Sequence, residues 1–367
     1  MTSAYRVLWL CKARYMNHDV IEDRYARLFE LPNLLGKNEN LSVSAVCLDY
    51  HLAKKAPISH DLRSTWRRYS LPRSLFTGWL FALMSHVRSF RPQCVIASSD
   101  CIHVIIGWLI SRSFKARFFV DLYDDYSTFG LARVPGIRRL YDRALREADG
   151  ICAVSRTLGR HMEEEYPGKK VLILESTIDS QLFYPRDKAE SRALLQLNRF
   201  SGKKLVGVCG GLNVLHGADV VFSSFAKIAE QVPEVIFVIA GIPDKNCPLP
   251  ELPNVAFLGA LPHQHMPYFF SAMDVAIVAL SNTRFGYFAF PQKAYEILAC
   301  DVPVAAAHVG SLAMLFDAVP EALYEAQSPD SLSTTVIHQL QAKRINPVDI
   351  PTWEDQAVAL ANFITTP

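Results

Sequence analysis

The fold of this chain is indicated most directly by residues 282–306, which run NTRFGYFAFPQKAYEILACDVPVAA. A phenylalanine-rich lead-in is followed by Pro291, and proline suits the first turn of a helix because it lacks an N–H and its φ is fixed. Lys293 and Glu296 then fall one turn apart on one helical face, before a short apolar strand that follows Asp301. The pair predicts either a grip on the phosphates and hydroxyls of a nucleotide or a solvated ion pair.

The same order of strand and helix repeats along the whole chain. Apolar strands such as Tyr5–Cys11 and Cys94–Ser98 alternate with segments of helical periodicity such as Cys101–Phe114, and the alternation restarts in the second half. Parallel strands need crossover connections, so the predicted class is α/β, with two doubly wound, Rossmann-like domains that face each other across a cleft. The expected domains span 1–180 and 181–350, with ligands at the carboxyl ends of the strands.

Composition supports two well-packed domains whose surfaces differ in charge. The chain has 367 residues, half of them hydrophobic, which is too long for one ordinary core. Lys and Arg outnumber Asp and Glu by 26 to 19 over residues 1–180, and the order reverses to 12 against 17 over residues 181–367. The basic first half predicts a surface that meets something anionic.

The cysteines and the N-terminus both favour a cytoplasmic protein. None of the cysteines forms a C-x-x-C pair, and their apolar surroundings predict free, buried thiols in a reducing compartment. The N-terminal apolar run lacks a preceding basic region, which favours a first strand over a signal peptide, and no uncharged apolar run reaches the length of a membrane span. The eight cysteines are Cys11, Cys47, Cys94, Cys101, Cys152, Cys209, Cys247 and Cys300.

A glycine-rich turn is expected after the first strand of the second domain. Gly210 and Gly211 end that strand, Asn213 follows, and His216-Gly217 leads into a helix. Paired glycines before a helix let main-chain N–H groups approach phosphate oxygens closely. The spacing is neither G-x-G-x-x-G nor a P-loop, so a simple turn is the alternative.

Acidic residues follow two neighbouring strands of the first domain. Asp100 comes after one strand, while Asp121, Asp124 and Asp125 bracket the end of the next, so all could face a ligand at the carboxyl ends. Asp100 could equally cap the helix that starts at Cys101. His103, one turn into that helix, is expected to be a satisfied core histidine. The spacing of these carboxylates is not that of a metal site, and no metal is assigned.

A basic, aromatic segment covers residues 63–91. Its arginines and aromatic residues alternate in a way that suits the surface of an anionic membrane, and the alternative is a solvated basic face over buried aromatics. No nucleic-acid-binding motif accompanies it, so nucleic acid is not expected as a partner. The residues concerned are Arg63, Trp66, Arg67, Arg68, Tyr69, Arg73, Phe76, Trp79, Phe81, Arg88 and Arg91.

These motifs together resemble the GT-B glycosyltransferases, in particular the large retaining group that includes glycosyltransferase family 4. Residues 209–219, CGGLNVLHGAD, resemble that group's phosphate loop, and residues 237–241 resemble its next strand and glycine turn. Pro291–Pro303 resembles its nucleotide-sugar element, and residues 179–185 resemble its interdomain linker. The resemblance covers nearly the whole chain and implies that a C-terminal helix over 351–367 packs back on the first domain.

The resemblance implies how a donor is held. Glu296 would bind the donor ribose, and the glycine turns at Gly210, Gly211 and Gly241 would hold the diphosphate. Stabilising the departing diphosphate is then the main task of the protein, because in retaining transfer that group helps the acceptor hydroxyl lose its proton. The implied donor-binding residues are Gly210, Gly211, Asn213, His216, Gly217, Gly241, Arg284, Pro291, Lys293 and Glu296.

The second domain departs from the group's pattern at its charged positions. A second glutamate eight residues before Glu296 is replaced by Phe288, and the group's phosphate-binding arginine and lysine fall on Gly211 and His216. Histidine is a weaker fixed charge than lysine near neutral pH. Arg284 and Lys293 are therefore expected to supply the positive charge that the loop lacks.

The first domain departs as well. The group's common histidine after a first-domain strand corresponds to Tyr123 here, and Asp124 follows it. Asp100, Tyr123 and Asp124 are consequently the first-domain candidates for the catalytic set, beside Glu296 in the second domain.

The function expected from the resemblance is retaining transfer of a sugar in polysaccharide or glycoconjugate biosynthesis. The donor would be a nucleotide-diphosphate sugar, of UDP or GDP type, with no separate cofactor. The acceptor would be a glycan or a lipid-linked glycan reached at the inner face of the membrane. A GT-B sugar-nucleotide epimerase and a non-catalytic GT-B binding protein are the alternatives.

Overall fold

The computed structural model of the protein describes residues 4–16, 18–50, 64–70, 78–128, 130–341 and 348–366. The chain divides into two compact units, each built on a parallel sheet, which confirms the predicted α/β class. Unit 1 comprises Met1–Ser176 together with Trp353–Pro367, and unit 2 comprises Thr177–Thr352.

Unit 1 contains a parallel sheet whose strands lie in the order β5-β4-β1-β6-β7-β8-β9. The chain first builds outward from β1 on one side and then crosses over to β6 on the other, so a topological switch point lies between β1 and β6. A short antiparallel ribbon, β2-β3, follows β1. The strands are β1 (Tyr5–Lys12), β2 (Arg14–Tyr15), β3 (His18–Asp19), β4 (Leu41–Asp49), β5 (Thr65–Ser70), β6 (Cys94–Ser98), β7 (Arg117–Leu122), β8 (Gly150–Ala153) and β9 (Lys170–Ile173).

Helices connect β1 to β4 and link the consecutive strands from β5 to β9, as parallel pairing requires. The central strands β6, β7 and β8 are buried throughout or nearly so, because helices cover both faces of a doubly wound sheet. The helices are α1 (Ala26–Leu35), α2 (Gly78–Phe90), α3 (Cys101–Phe114), α4 (Pro135–Glu147) and α5 (Arg156–Glu165).

Unit 2 repeats the architecture with the strand order β12-β11-β10-β13-β14-β15. This is the 3-2-1-4-5-6 order of a dinucleotide-binding fold, with its switch point between β10 and β13. The strands are β10 (Lys204–Leu212), β11 (Val235–Pro243), β12 (Val255–Phe257), β13 (Val275–Val278), β14 (Val304–Ala307) and β15 (Leu323–Tyr324). The helices are α6 (Lys188–Leu194), α7 (Ala218–Gln231), α8 (Met266–Ala272), α9 (Arg284–Phe288), α10 (Lys293–Ala299), α11 (Gly310–Leu315) and α12 (Pro329–Gln341).

The last helix, α13 (Trp353–Thr365), belongs to the core of unit 1. Trp353, Leu360 and Ile364 are buried there together with residues of β1, β4 and α1. Phe363 lies edge-on to Phe119 of β7, with ring centroids 5.4 Å apart. The apolar face of α13 therefore packs into unit 1, most of which comes from the N-terminal half of the chain.

The basic, aromatic segment of residues 63–91 does not form the single membrane-facing surface that was expected. Its first part forms the edge strand β5, where Trp66 is buried against Phe29 with ring centroids 5.2 Å apart. Arg68 is buried too and pairs with Asp19 of the ribbon. Buried and exposed side chains alternate at the start of β5, as expected for a strand with one buried face. The high density of arginines obscured this alternation in the sequence. Arg63, Arg73 and Phe76 lie outside the described residues.

The second part of that segment is the helix α2, which the described residues show beginning at Gly78. Within α2 only Leu83 and Val87 are buried, so most of the helix surface is open. Among the helices of the described ranges, none joins the length and apolar character that crossing a bilayer demands.

Candidate functional site

Two exposed glycines lie just before the last residue of β10. The strand is buried from Leu205 to Cys209, and the main chain becomes exposed at Gly210 and Gly211. Gly210 has a φ of +106°, which residues with side chains rarely adopt. Because glycine has no side chain, a phosphate oxygen can approach the main chain closely at this point.

Gly241 lies beside Gly210 in the ladder between β10 and β11. It has a φ of +142°, and a Cβ there would come within 2.2 Å of the Gly210 carbonyl oxygen. Its N–H donates to the carbonyl oxygen of Gly259 at 2.8 Å. The Gly241 N–H is thus used within the fold, and a diphosphate contact at this glycine turn stays a prediction. Gly241 is needed because two main chains approach each other too closely for any side chain.

Lys293, the first residue of α10, reaches back to the glycine pair. Its Nζ donates to the carbonyl oxygen of Cys209 at 2.7 Å. A Cβ on Gly210 would lie 2.7 Å from the same ammonium, so this glycine leaves the space that the lysine occupies. Lys293 thus lies against the exposed glycines of β10, and its ammonium donates a hydrogen bond to that strand rather than to Glu296.

Glu296 lies one turn further along α10 and is partly buried. Gln292 donates to its Oε1 at 3.4 Å. Burial raises the pKa of Glu296 to about 7, although the nearby Lys293 ammonium and the Gln292 hydrogen bond oppose the shift. A carboxyl group that titrates near neutrality beside a lysine is typical of functional sites.

Asn213, His216 and Gly217 form the turn between β10 and α7. The side chain of Asn213 accepts from the His216 N–H at 3.0 Å, and its Oδ1 lies 2.8 Å from His216 Nδ1. Burial and the Lys293 charge both lower the pKa of His216, so the imidazole is neutral near pH 7. With Nδ1–H donating to Asn213, Nε2 is an acceptor, and the positive charge of the loop comes from Lys293 instead.

Gly217 is the last residue of that turn, and a small cavity lies next to it. It adopts a φ of +72°, and a Cβ there would meet the main chain of Leu280 at 3.3 Å. The cavity of about 230 Å³ is lined by residues that include Gly217, Asp219, Ser281 and Tyr324. Ligand pockets usually measure ~300–1,000 Å³, so this space suits part of a donor molecule rather than the whole of it.

The remaining donor-binding candidates precede α10. Arg284 begins α9, is exposed, and has its guanidinium 5.3 Å from the ring centroid of Phe288, which is itself buried. The aromatic ring at position 288 therefore packs into unit 2 and presents no polar group. Pro291 lies two residues before Lys293, so α10 begins slightly later than the sequence indicated.

In unit 1, Asp100 is the N-cap of α3. Its Oδ1 accepts from the N–H groups of Ile102 and His103, at 2.9 and 3.1 Å, and from His103 Nδ1 at 2.8 Å, while Tyr50 donates to Oδ2 at 3.1 Å. Burial alone would raise the pKa of Asp100, but these hydrogen bonds outweigh it and lower the pKa to about 2. Of the two interpretations left open by the sequence, the helix cap is the one seen.

His103 is buried, as expected for a core histidine, but it is only half satisfied. Its Nδ1 contacts Asp100, whereas Nε2 is buried with no hydrogen-bond partner among the described residues.

Tyr123 and Asp124 lie at the end of β7, close to Lys12 at the end of β1. The Tyr123 hydroxyl donates to the carbonyl oxygen of Ser99 at 3.1 Å, and burial raises its pKa well above the usual value. Burial also raises the pKa of Asp124 to about 6, while Lys12 opposes that shift. Tyr123 is therefore a poor proton acceptor, and Asp124 is the titratable group near neutrality.

Lys12 is the residue of this cluster that sequence reasoning missed. Its Nζ lies 5.3 Å from the ring centroids of both Tyr15 and Tyr123. Burial lowers the pKa of Lys12, and the charges of Asp100 and Asp124 act in the opposite direction. Its position at the carboxyl end of the strand beside the switch point was the signal that could have found it.

Asp121 and Asp125 serve the structure of unit 1. Asp121 is fully buried, pairs with Arg27 and accepts from Ser98 at 2.7 Å. Asp125 is buried and accepts from the N–H and hydroxyl of Ser127. Within the described ranges, no group of three or more His, Cys, Asp or Glu side chains is arranged to hold a metal ion.

Comparison with known proteins shows a similarity to glycosyltransferases, and the family model that matches lies within unit 2. Residues 203–342 match the family model described as Glycosyl transferases group 1. The chain is 25% identical over 262 residues to a D-inositol 3-phosphate glycosyltransferase of Segniliparus rotundus, covering 65% of this chain and 56% of the relative. It is also 25% identical over 178 residues to the putative teichuronic acid biosynthesis glycosyltransferase TuaH of Bacillus subtilis, covering 46% and 43%. The chain thus spans about half the length of these curated relatives.

Solved structures extend the similarity to both units. Sucrose-phosphate synthase from Thermosynechococcus elongatus superposes with a TM-score of 0.70 at 16% identity, covering 98% of this chain and 94% of that one. HepE from Anabaena in complex with UDP gives 0.68 at 14% identity, covering 97% and 94%. These likenesses confirm the predicted pair of Rossmann-like domains of the GT-B fold. The narrower assignment to glycosyltransferase family 4 stays a prediction.

Proposed function

We propose that this chain, which has the GT-B fold and matches the group 1 glycosyltransferase model over residues 203–342, transfers a sugar from a nucleotide-diphosphate sugar to an acceptor hydroxyl with retention. The observation that carries the proposal is the position of Lys293. Its ammonium lies against the exposed glycines of β10, and Glu296 stands one turn away on the same helix. One cation, an open main chain and one carboxylate suit a diphosphate joined to a ribose.

The chemistry asked of unit 2 is stabilisation of a leaving group. The bond between the anomeric carbon and the β-phosphate oxygen breaks, and the acceptor oxygen bonds to that carbon on the same face. The acceptor proton passes to an oxygen of the departing diphosphate. Lys293 would neutralise the charge that develops on the diphosphate, and fixed charges aimed at such a group are the largest contribution in many enzymes.

Glu296 would hold the donor in register by accepting hydrogen bonds from ribose hydroxyls. Its ionised form accepts with both oxygens, whereas the protonated form retains only part of that capacity. Because the pKa of Glu296 is about 7, donor affinity is expected to rise with pH through neutrality.

The finer parts of the proposal concern the donor base, the acceptor and the roles of the units. HepE is seen with UDP and with UDP-glucose, which supports a UDP-type donor for this chain. The name of TuaH supports a polysaccharide acceptor. We assign donor binding to unit 2 and acceptor binding to unit 1, where Lys12, Asp100 and Asp124 gather at the carboxyl ends of β1, β6 and β7. Assignment to family 4 belongs to the same proposal.

A cytoplasmic location, with an acceptor linked to a membrane lipid, completes the proposal. Eight free, buried cysteines suit a reducing compartment. A peripheral contact with the inner membrane face would be made through the described part of residues 63–91, which is open chiefly along α2.

The test is thermal-shift binding against UDP-, GDP-, ADP- and dTDP-sugars, repeated with Glu296→Ala. We expect stabilisation by one nucleotide class, strongly reduced in the variant. Stabilisation of Glu296→Ala as large as that of the unaltered protein would refute the ribose contact. Product analysis with and without added acceptor then separates transfer from turnover of the donor alone.

A further inference from the structure

A cavity lies at the amino end of the unit 1 sheet, away from the residues discussed so far. It has a volume of about 730 Å³. We call it the amino-end cavity, and its lining includes Tyr5, Arg6, Arg88, Arg91, Lys115 and Arg117. Tyr5 and Arg117 are the first residues of β1 and β7, whereas Lys12 and Asp124 mark the other end of the same sheet. An eight-residue strand such as β1 spans roughly 25 Å, so the two places are separate.

The lining of the amino-end cavity carries charge of one sign. It holds four arginines and a lysine, and no Asp or Glu. Arg6 is held by its Nε, which donates to the carbonyl oxygen of Arg91 at 2.7 Å. Arg117 donates to the carbonyl oxygens of Ile364 and Thr366, and its nearest carboxylate is Asp149 at 3.9 Å. Main-chain carbonyls thus fix two guanidinium groups, and among the ion pairs of the described residues Arg6 has none while Arg117 has only the one with Asp149.

The other cations of the amino-end cavity are open to solvent. Arg88, Arg91 and Lys115 are exposed, and the ion pairs found among the described residues include none of the three. A one-signed cluster of this kind is costly for the compact state through self-repulsion, and an anionic ligand would relieve that cost.

The helix that supplies Arg88 also presents apolar side chains to solvent. On α2, Phe81 is 73% exposed and Leu80 is 45% exposed. Phe81 and Arg88 are seven residues apart, which places them on the same helical face about two turns from each other. The face therefore runs from an exposed aromatic ring to the basic rim of the cavity.

We propose that the amino-end cavity binds the phosphate headgroup of an anionic membrane lipid, while Leu80 and Phe81 of α2 enter the adjoining acyl boundary. An exposed apolar stripe next to several unpaired arginines is the combination that a helix lying on an anionic bilayer presents. A small soluble phosphate would use the cations and leave the apolar stripe without a role. This lipid site rests on the peripheral membrane contact proposed above, but it does not depend on glycosyl transfer, because none of its residues lies in the donor or acceptor clusters. Loss of vesicle binding with donor binding retained in the thermal-shift test would therefore count against the lipid site alone.

The proposal also replaces part of the surface that the sequence indicated. Trp66 and Arg68 are buried in unit 1 and cannot meet a bilayer. Arg6, Lys115 and Arg117, which lie outside residues 63–91, take part instead.

The experiment is co-sedimentation of the full chain with phosphatidylcholine vesicles, with and without phosphatidylglycerol, at low salt. We expect binding only to the anionic vesicles. The double variant Arg88→Glu with Arg91→Glu should weaken it more than tenfold, since each basic residue near such a surface contributes roughly a fivefold factor. Phe81→Ser should weaken it too. The matched control is Arg139→Glu, at an exposed arginine of α4 outside the cavity.

Several results would overturn the lipid site. Absence of binding to anionic vesicles would do so, as would equal losses in Arg139→Glu and in the Arg88 and Arg91 variants, which would indicate diffuse charge. Release of the protein from vesicles by soluble glycerol phosphate, with Phe81→Ser binding normally, would identify a soluble phosphate as the ligand instead. Thermal unfolding of each variant checks that unit 1 remains folded, which is expected because the altered side chains are exposed.

Discussion

Lys293 illustrates how one side chain gains its role from a distant part of the chain. The sequence offered it an ion pair with Glu296, one turn away. In the structure its ammonium donates to Cys209, 84 residues earlier, and occupies the space left by Gly210. A cation so placed serves the loop that lacks its own arginine and lysine.

Replacing Lys293 should therefore weaken donor binding. We expect Lys293→Met to lose about 1.5–3 kcal/mol of affinity for a nucleoside diphosphate, or roughly 10–100-fold, because a hydrogen bond to a charged group is removed. Isothermal titration calorimetry measures the loss. The control is Lys203→Met, at an exposed lysine of the same unit. Equal affinities for the two variants would contradict a phosphate contact by Lys293.

Glu296 should make stability depend on pH. Its pKa is raised from 4.5 unfolded to about 7 folded, so the stability linked to its proton is complete below the unfolded pKa and is lost as pH rises through about 7. Glu296→Gln stays neutral and should gain about 1–3 kcal/mol relative to the unaltered protein between about pH 4.5 and about pH 8. Urea unfolding at several pH values tests this. A difference that does not vary with pH would mean that Glu296 titrates normally.

Elements of unit 1 separate structural from chemical roles. The N-terminus of α3 rests on Asp100, whose carboxylate accepts from two main-chain N–H groups and from His103. A carboxylate that caps a long helix in this way is committed to the fold, whatever else it contacts.

Two variants of Asp100 should behave differently. Asp100→Ala removes the cap and should cost about 0.5–2 kcal/mol of stability, whereas Asp100→Asn keeps an acceptor and should cost much less. Urea unfolding gives both values. Transfer activity in Asp100→Asn then decides whether the carboxylate has a catalytic part. Full activity would limit Asp100 to capping, and loss of activity in a stable variant would show a direct role.

At the scale of the whole molecule, unit 1 contains both the first strand and the last helix of the chain. The core of unit 1 includes Leu360 of α13, which is fully buried, while Val358 on the same helix is 61% exposed. Unit 1 therefore depends on residues that are made after the whole of unit 2.

This dependence predicts a contrast within α13. Leu360→Ala should destabilise unit 1 by about 2–5 kcal/mol, since a buried leucine is replaced by a cavity. Val358→Ala, the exposed control, should change stability by less than about 0.5 kcal/mol. Stabilisation of unit 2 by UDP should persist in both variants. Similar melting curves for the two would show that α13 adds little to the core.

The sequence alone determined the α/β class, the repeated strand and helix order and the glycine pair. These features are local, because a few neighbouring residues are enough to indicate a buried strand, a helix or a turn. It also pointed to Lys293 and Glu296 through their spacing. It missed β5, where arginines hid an alternating strand, and Lys12, whose neighbours come from other strands.

Only the tertiary structure determined the hydrogen-bond or ion-pair partner of each polar group. It turned Lys293 toward Cys209, used the Gly241 N–H for Gly259, buried Asp121 with Arg27, and made Asp100 a cap. It also gathered five cations from three separate stretches of the chain into the amino-end cavity. Such choices depend on contacts between residues far apart in the chain, where burial and the approach of main chains set the geometry, and no short stretch of sequence carries that information.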